Sequence, residues 1–561
     1  MGRVKTLKSC LYFALALLAA DAALGAGRKA ASGDLRDAGA STVIAEMALE
    51  RGDCRTASET YAAAAQRADV SVARRSSEVS LACEHLPAAW DSVKRWRALA
   101  PADRDAAVIY ATVALKLYRI TEARAALATV LKEKSAESDA RLAELAQLFL
   151  QEADASATFA AINGSLDTGT ASAGALSLVA ELALEAYDTK RAEQLTALAL
   201  KQDPSSFEAR HILARAYVMK GDATGAINMA RELAKLDPKR GEFEVAEILA
   251  ELDRLEEARL ELDRLRGTDA DKGNVERRLA LLAFQGGDYA EAQRRFTGIA
   301  TGDDATEASL LYLAEIAERD GDNDTALAGY RRLINSSTLA VPARTRAAAI
   351  LLDQKERGAA LALLDDYVSE HPDRGFEITV TKANLLADHG EIDAGLALLG
   401  AALDKHPQHP SLQYDRAVLL EKAGKIKDSV SALEKLLNDR QEDPTLLNAL
   451  GYTLADHGLE LSRAEGLIRK SLAAMPDNPA VLDSMGWVRF KRGDSKGAVD
   501  YLKRSYSLAH DPEIAAHWAE ALWKSGEQQD ARAVLATALA RHPDSEKLKK
   551  TISRLAPHEK T

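Results

Sequence analysis

Apolar residues recur along this chain at helical spacing, in paired helix-length stretches punctuated by Gly, Asp and Pro. The theme is clearest between Asp443 and Pro543, where three blocks repeat it. The first holds Leu450-Gly451, Gly458, Ala464 and Pro476. The second holds Met485-Gly486, Gly493, Ala498 and Pro512, and the third Trp518-Ala519, Gly526, Ala531 and Pro543. Each position has a physical job. A small residue midway along the first helix lets an antiparallel partner approach closely. A Gly seven residues on ends that helix, because the left-handed conformation is cheap only without a Cβ. The Ala packs the second helix back onto the first, and Pro, unable to continue it, turns the chain into the next unit.

The beat extends towards the N-terminus. Ala226, Ala258, Ala292, Ala326 and Ala360 follow one another at 32 to 34 residues, and Gly395 and Ser429 take the same place in the next two units. Ala192, Ala123, Ala89 and Ala57 carry it back, with a gap of 69 residues between Ala123 and Ala192 that fits one degenerate unit. A helix–turn–helix unit of about 34 residues with this spacing resembles the tetratricopeptide repeat. The expectation is therefore an all-α solenoid of about 15 units, a right-handed superhelix with a long concave surface. Its divisions would be divergent units over 38–172, central units over 173–374, well-formed units over 375–543, and a capping helix with a tail over 544–561. Softer joints are expected near 164–172, 267–274 and 335–342, where Gly, Asp, Ser and Thr cluster.

The run LNALGYTLADHG…AEGLIRKSLAAMPDNPAVLDSMGWVRFKRGD…DPEIAAHWAEALWKSG is more particular. Over residues 440–545 it resembles Gram-negative cell-envelope tetratricopeptide proteins, among them the outer-membrane lipoprotein adaptor of a periplasmic carboxyl-terminal processing protease. That resemblance implies a protein that holds a protease together with its cell-wall hydrolase substrates. The repeat resemblance also implies that the second, fifth, ninth, twelfth and thirteenth places of helix A face the groove. Those places hold Tyr414, Asn448, Tyr452, Asp483, Trp487, Phe490, Lys491, Glu520, Trp523 and Lys524. Aromatic rings beside amide and carboxylate groups suit an extended peptide, the rings covering apolar side chains and the polar groups fixing the backbone. Ordinary packing between repeats is the competing use of the same residues.

Charge narrows the partners. The chain carries 73 Lys and Arg against 85 Asp and Glu, a formal net of −12, and residues 1–26 contribute +2, which leaves −14 on the remainder. This disfavours nucleic acid and anionic membrane surfaces and allows basic partners. Residues 1–26 read as a secretory signal, with Arg3, Lys5 and Lys8 ahead of a short apolar core from Leu11 to Ala20. Residues 27–37 read as a flexible leader. Export to a periplasm-like compartment is the expectation. Cys10 precedes the apolar core, so the lipidation cysteine of the envelope adaptors has no counterpart.

Cys54 and Cys83 remain. In the repeat register the first begins a helix B and the second ends the next helix A, at the same end of adjacent helices. A disulfide is one reading and two separate buried thiols the other. Catalytic motifs are absent: no H-E-x-x-H, G-x-S-x-G, P-loop or C-x-x-C. The Asp388-His389-Gly390 and Asp456-His457-Gly458 triplets sit where helix capping is expected. His406-x-x-His409-Pro410 is a weak metal signal in an inter-repeat turn. The sequence points to a non-enzymatic binding scaffold with no catalytic residue, cofactor or metal.

Overall fold

The computed structural model describes residues 34–131, 136–266, 271–301, 306–543 and 545–555. The signal-like span 1–26, leader residues 27–33 and part of the 267–274 joint lie outside these. The helix Asp34–Glu50 begins within the rest of the leader. Among the described residues the regular structure is helical throughout. Fifteen antiparallel pairs run from Asp34–Glu50 with Cys54–Ala65 to Pro512–Ser525 with Gln528–Arg541, and a final helix, Glu546–Leu555, follows. That last helix buries Leu548 completely against the fifteenth pair, which covers the open end of the stack.

The short turns inside each pair follow from two residue types. Gly221 (φ 75°) and Gly493 (φ 91°) take the left-handed conformation that ends helix A. The next residue, Asp222 or Asp494, caps helix B by accepting from the backbone N–H of Gly225 or Gly497, each at 2.9 Å. Helix B then presents its small residue. From Ala57 through Ala192, Ala360 and Ser429 to Ala531, the recurring position has no exposed surface. The degenerate unit between Ala123 and Ala192 is the pair Ala136–Glu152 and Ala155–Ser165, and it too buries an Ala at this place, Ala157. At Gly486 a Cβ would stand 2.5 Å from Leu502 Cγ, and at Gly451 it would stand 2.6 Å from Ile468 Cγ1. Nothing larger than hydrogen fits either place.

Proline acts differently from the sequence expectation at one position. Pro512, read as closing its unit, opens the next helix A, as Pro410, Pro444 and Pro479 do. A proline in the first helical turn loses no hydrogen bond, since its N–H would be unpaired there anyway.

The A helices form the inner layer. Consecutive A helices pack on one another, as Pro444–Asp456 does on Pro479–Lys491. Tyr452 even reaches past the intervening unit, its hydroxyl 3.3 Å from Glu513 Oε1. Contact between units two apart requires the concave side of a curved stack.

The curvature brings the chain back on itself. Asp477 N–H donates to the Tyr187 carbonyl at 3.0 Å. The Asp477 carboxylate accepts from Thr189 N–H at 3.0 Å and from the Thr189 hydroxyl at 2.5 Å. Further along, Arg541 pairs with Asp253, and nearer the start Arg440 lies 5.2 Å from the Tyr118 ring. Residues 405–409 meet Cys54, Arg55 and Cys83–His85 around a small cleft. The Thr189–Asp477 and Asp253–Arg541 contacts both span 288 residues. The Arg440–Tyr118 contact spans 322 residues, from 118 to 440. At about 34 residues per unit, one revolution therefore takes roughly eight and a half to nine and a half units, and the second turn rests on the first.

The contacted turns share a departure from the glycine rule. Glu84, Tyr118, Tyr187 and Asp253 hold positive φ between 53° and 61° at the end of helix A, where most other units use Gly. A side chain in this conformation costs about 1–2 kcal/mol. All four residues lie where the second turn touches the first.

Candidate functional site

The inner face is most elaborated where the last three A helices meet. Asp483 and His517 stand on adjacent A helices, His517 fully buried and its Nδ1–H donating to both Asp483 oxygens at 3.0 and 3.1 Å. His517 stacks on Trp487 with centroids 3.9 Å apart, and Trp487 stacks in turn on Phe490 at 5.1 Å. Trp487 Nε1–H donates to Asp456 at 2.9 Å. Lys491 lies 4.8 Å above the same indole and donates to the Asp456 carbonyl at 2.7 Å, and Lys524 lies 5.3 Å from the Phe490 ring. Rings, cations and carboxylates thus alternate along the inner face.

Of the residues placed in the groove by sequence, Asp483, Trp487 and Glu520 are buried, while Tyr414, Asn448, Tyr452, Phe490 and Trp523 are half-buried. Tyr452, Asp483, Trp487 and Phe490 come together in one cluster. Trp523 stands apart from it with Arg532 over its ring at 5.1 Å, and Glu520 pairs with Arg554 of the last helix at 3.1 Å. Trp518 is half-buried against Tyr506. His517, at the sixth place of its helix, is the residue that the row of positions missed. The signal was available, since an Asp on one helix A and a His one unit later bring unlike polar groups to adjacent inner positions.

Electrostatics in the cluster follow from crowding. Burial pushes the Tyr452 hydroxyl well above the ordinary tyrosine range, and Glu513 and Asp456 add to it. For Asp456, burial acts upwards, but the Trp487 N–H and Lys491 outweigh it and hold the carboxyl below its usual value. Glu513 is also held low, where the Lys547 ammonium overcomes burial.

A second feature of the inner face lies in the first turn. Glu181, Phe207, Glu208, His211, Ile212, Arg240 and Glu244 line an open cavity of about 370 Å³. His211 Nδ1 is 3.1 Å from Glu244, whose hydrogen bond raises the imidazole pKa against the pull of burial.

The histidine pair in the inter-repeat turn has a structural explanation. His406 and His409 both pack on Phe376, at 4.7 and 4.2 Å, and His409 Nδ1 accepts from Leu412 N–H at 3.4 Å to cap its helix. Burial, then His406 and Lys116, depress the His409 pKa to about 4. A neutral ring in the folded state and an ordinary one near 6.5 when unfolded give a stabilisation that is complete above pH 6.5. It is lost as pH falls towards 4. Acidification from pH 7 to 5 is expected to weaken this part of the stack by about 2 kcal/mol, and His409→Asn is expected to flatten that dependence in urea titrations at the two pH values.

His389 and His457 end their A helices before left-handed Gly390 and Gly458. Among the described residues no group of three or more His, Cys, Asp or Glu is placed to hold a metal ion, and no helix is long and apolar enough to cross a membrane. Cys54 and Cys83 are joined, with Cα atoms 5.4 Å apart, inside the reach of a disulfide.

Family models described as tetratricopeptide repeat match residues 277–340 and 386–451. These two stretches are tetratricopeptide repeats. It is 30% identical over 214 residues to the TPR repeat-containing protein PA4667 of Pseudomonas aeruginosa, a match covering 38% of this chain and 36% of that protein. It is 29% identical over 311 residues to the cellulose synthase 2 operon protein C of Komagataeibacter xylinus, covering 52% of this chain and 23% of that one. Both matches thus span little more than a third of the relative's length or less. Among solved structures, a tetratricopeptide repeat protein from Parabacteroides merdae aligns over 44% of this chain and 98% of its own at 15% identity, with a TM-score of 0.34. TTC0263 of Thermus thermophilus aligns over 32% of this chain and 97% of its own at 22% identity, with a TM-score of 0.30. Tetratricopeptide-repeat proteins typically bind protein partners and act as scaffolds.

Proposed function

We propose that this tetratricopeptide-repeat protein is a periplasmic, non-enzymatic adaptor that holds protein partners along its inner face. Its role on this reading is to bring substrates, cell-wall hydrolases among them, to a carboxyl-terminal processing protease. The observation that carries the binding role is the inner layer itself, with Tyr452, Trp487, Phe490, Lys491 and His517 assembled on three successive A helices. Rings with flanking cations and carboxylates can hold an extended peptide by stacking and backbone hydrogen bonds. The signal-like residues 1–26 and the Cys54–Cys83 bridge support an oxidising, exported setting.

A second reading is a scaffold of an envelope polysaccharide-export or outer-membrane assembly machine. The match to the cellulose synthase 2 operon protein C over 52% of this chain favours it.

Capture from cell-envelope extract on the immobilised full chain separates the two readings. Recovery of a processing protease with a hydrolase substrate supports the first, and recovery of secretion components supports the second. Trp523→Ala is the cleaner groove variant, since its ring is half-exposed, and it is expected to reduce capture several-fold, about 1–2 kcal/mol, with helicity unchanged. Trp487→Ala should also reduce capture, but it removes the partner of Asp456 and His517 as well. Equal capture by wild type and both variants would remove the inner-face reading.

A further inference from the structure

The contact between the two superhelical turns lacks the buried apolar clusters that join units within a turn. Inside a turn, units meet through buried Ala, Leu and aromatic side chains. Between turns the contacts are polar: Asp477 with Thr189 and Tyr187, Arg541 with Asp253, and Arg440 with the Tyr118 ring. Residues from His406 to His409 face Cys83–His85 across the remaining cleft. Asp477 is almost wholly buried, and its carboxylate serves the other turn together with Arg504; the cap of its own next helix is the neighbouring Asn478. Thr189 is the first residue of a helix B whose Asp188 cap binds Arg191 N–H instead, so the Thr189 N–H has a partner only in the second turn.

The first turn is shaped to make these contacts. Glu84, Tyr118, Tyr187 and Asp253 keep a side chain in the conformation where glycine would be easier. Asp253 uses its side chain for Arg541, Tyr118 its ring beneath Arg440, and Tyr187 its carbonyl for Asp477. His510, which also has positive φ, sits on the second-turn side, where its carbonyl accepts from His542 at 3.0 Å.

We propose that this seam is a clasp: the two turns part and rejoin along it as one unit, with every helix pair remaining folded. Three features favour a clasp over a fixed weld. The contacts are hydrophilic, so separating them exposes groups that water can satisfy. They are charge-rich, so salt weakens the pairs that remain exposed. They join segments 288 or more residues apart, whereas each unit's own apolar stripe is already buried against its neighbours. Closed, the seam shuts the gap between turns, so a chain segment reaches the inner face through the ends of the coil. Opened, the flank of the groove admits a segment from the side. The opening itself does not depend on whether a partner binds.

The Thr189 and Asp477 amides report the clasp directly, and hydrogen exchange on the full chain reads them. In low salt both are expected to be protected, yet to exchange faster than the buried helix interiors beside them. Asp253→Arg, which faces Arg541 with a like charge, is expected to speed exchange at both amides by about tenfold, although neither touches residue 253. It should also lengthen the particle in solution scattering by at least a helix diameter, about 10 Å, with circular dichroism unchanged. Adding Arg541→Asp should restore protection and dimensions. The proposal is overturned if wild-type Thr189 exchanges like a free amide, or if both amides exchange only together with the helix interiors. It is also overturned if Asp253→Arg acts only beside residue 253. Partner capture is a separate measurement, and its failure leaves these outcomes unchanged.

Discussion

Trp96→Ala is expected to lower the unfolding free energy of the N-terminal units by about 3–5 kcal/mol while leaving units beyond residue 440 near wild type. Trp96 is 1% exposed and among the largest fully buried side chains. Its Nε1–H donates to Asp103 at 3.0 Å, and the other oxygen of that carboxylate caps the following helix at Asp105 and Ala106. The substitution therefore opens a cavity and removes one partner of a capping residue. A solenoid transmits such damage through nearest neighbours. Exchange should rise through the pairs around residues 70–130 and fade along the chain. Trp96→Phe keeps most of the volume and loses one hydrogen bond, so it should cost nearer to 1 kcal/mol beyond the lost volume. A uniform loss across all fifteen units would mean that the stack unfolds as one body, contrary to nearest-neighbour packing.

The beat of small residues made the architecture legible because each unit satisfies itself locally. Ala57, Ala226 or Ala531 needs to be small for a contact only one helix away, so spacing alone reveals it. The degenerate unit could be counted from the 69-residue gap, although Ala157 was not singled out. Legibility falls as contacts lengthen. The equivalence of Tyr452 with Trp487, and of Asn448 with Asp483, followed from the register, but the partner of Asp483 is His517, at a different place in its helix. The seam was harder still. Its pairing of residue 189 with 477 is set by the summed rotation of more than eight units, which no local pattern encodes. The trace it left is the absence of glycine at Glu84, Tyr118, Tyr187 and Asp253. Lys355 (φ 67°) replaces Gly at the same place away from these contacts, so the missing Gly accompanies the seam without by itself marking it.

Reduction of the Cys54–Cys83 bridge is expected to cost about 3–4 kcal/mol in the first two units, the chain-entropy value for a closed loop of this size, with the bridged residues 29 apart. The effect should be large in its consequences because the first unit has little else. Its apolar cluster is small, built around Ala45, Ala57, Tyr61, Val79 and Cys83. Val43, Ile44 and Met47 on the first helix stand exposed. Tyr61 and Arg75 converge on Glu46, but burial works against those polar links before Arg75 and Tyr61 bring the carboxyl below its usual value. The bridge thus fixes the turn after helix Asp34–Glu50 to the end of helix Val70–Ala82. Treatment with a thiol, or Cys83→Ser, should free residues 34–65 to limited proteolysis while the stack beyond residue 100 stays resistant. The same end of the chain faces residues 405–409, so Thr189 and Asp477 amides, further along the seam beyond the Tyr118–Arg440 contact, should lose only part of their protection. If the first two units resist protease equally with and without reductant, their core suffices alone and the bridge is incidental to stability.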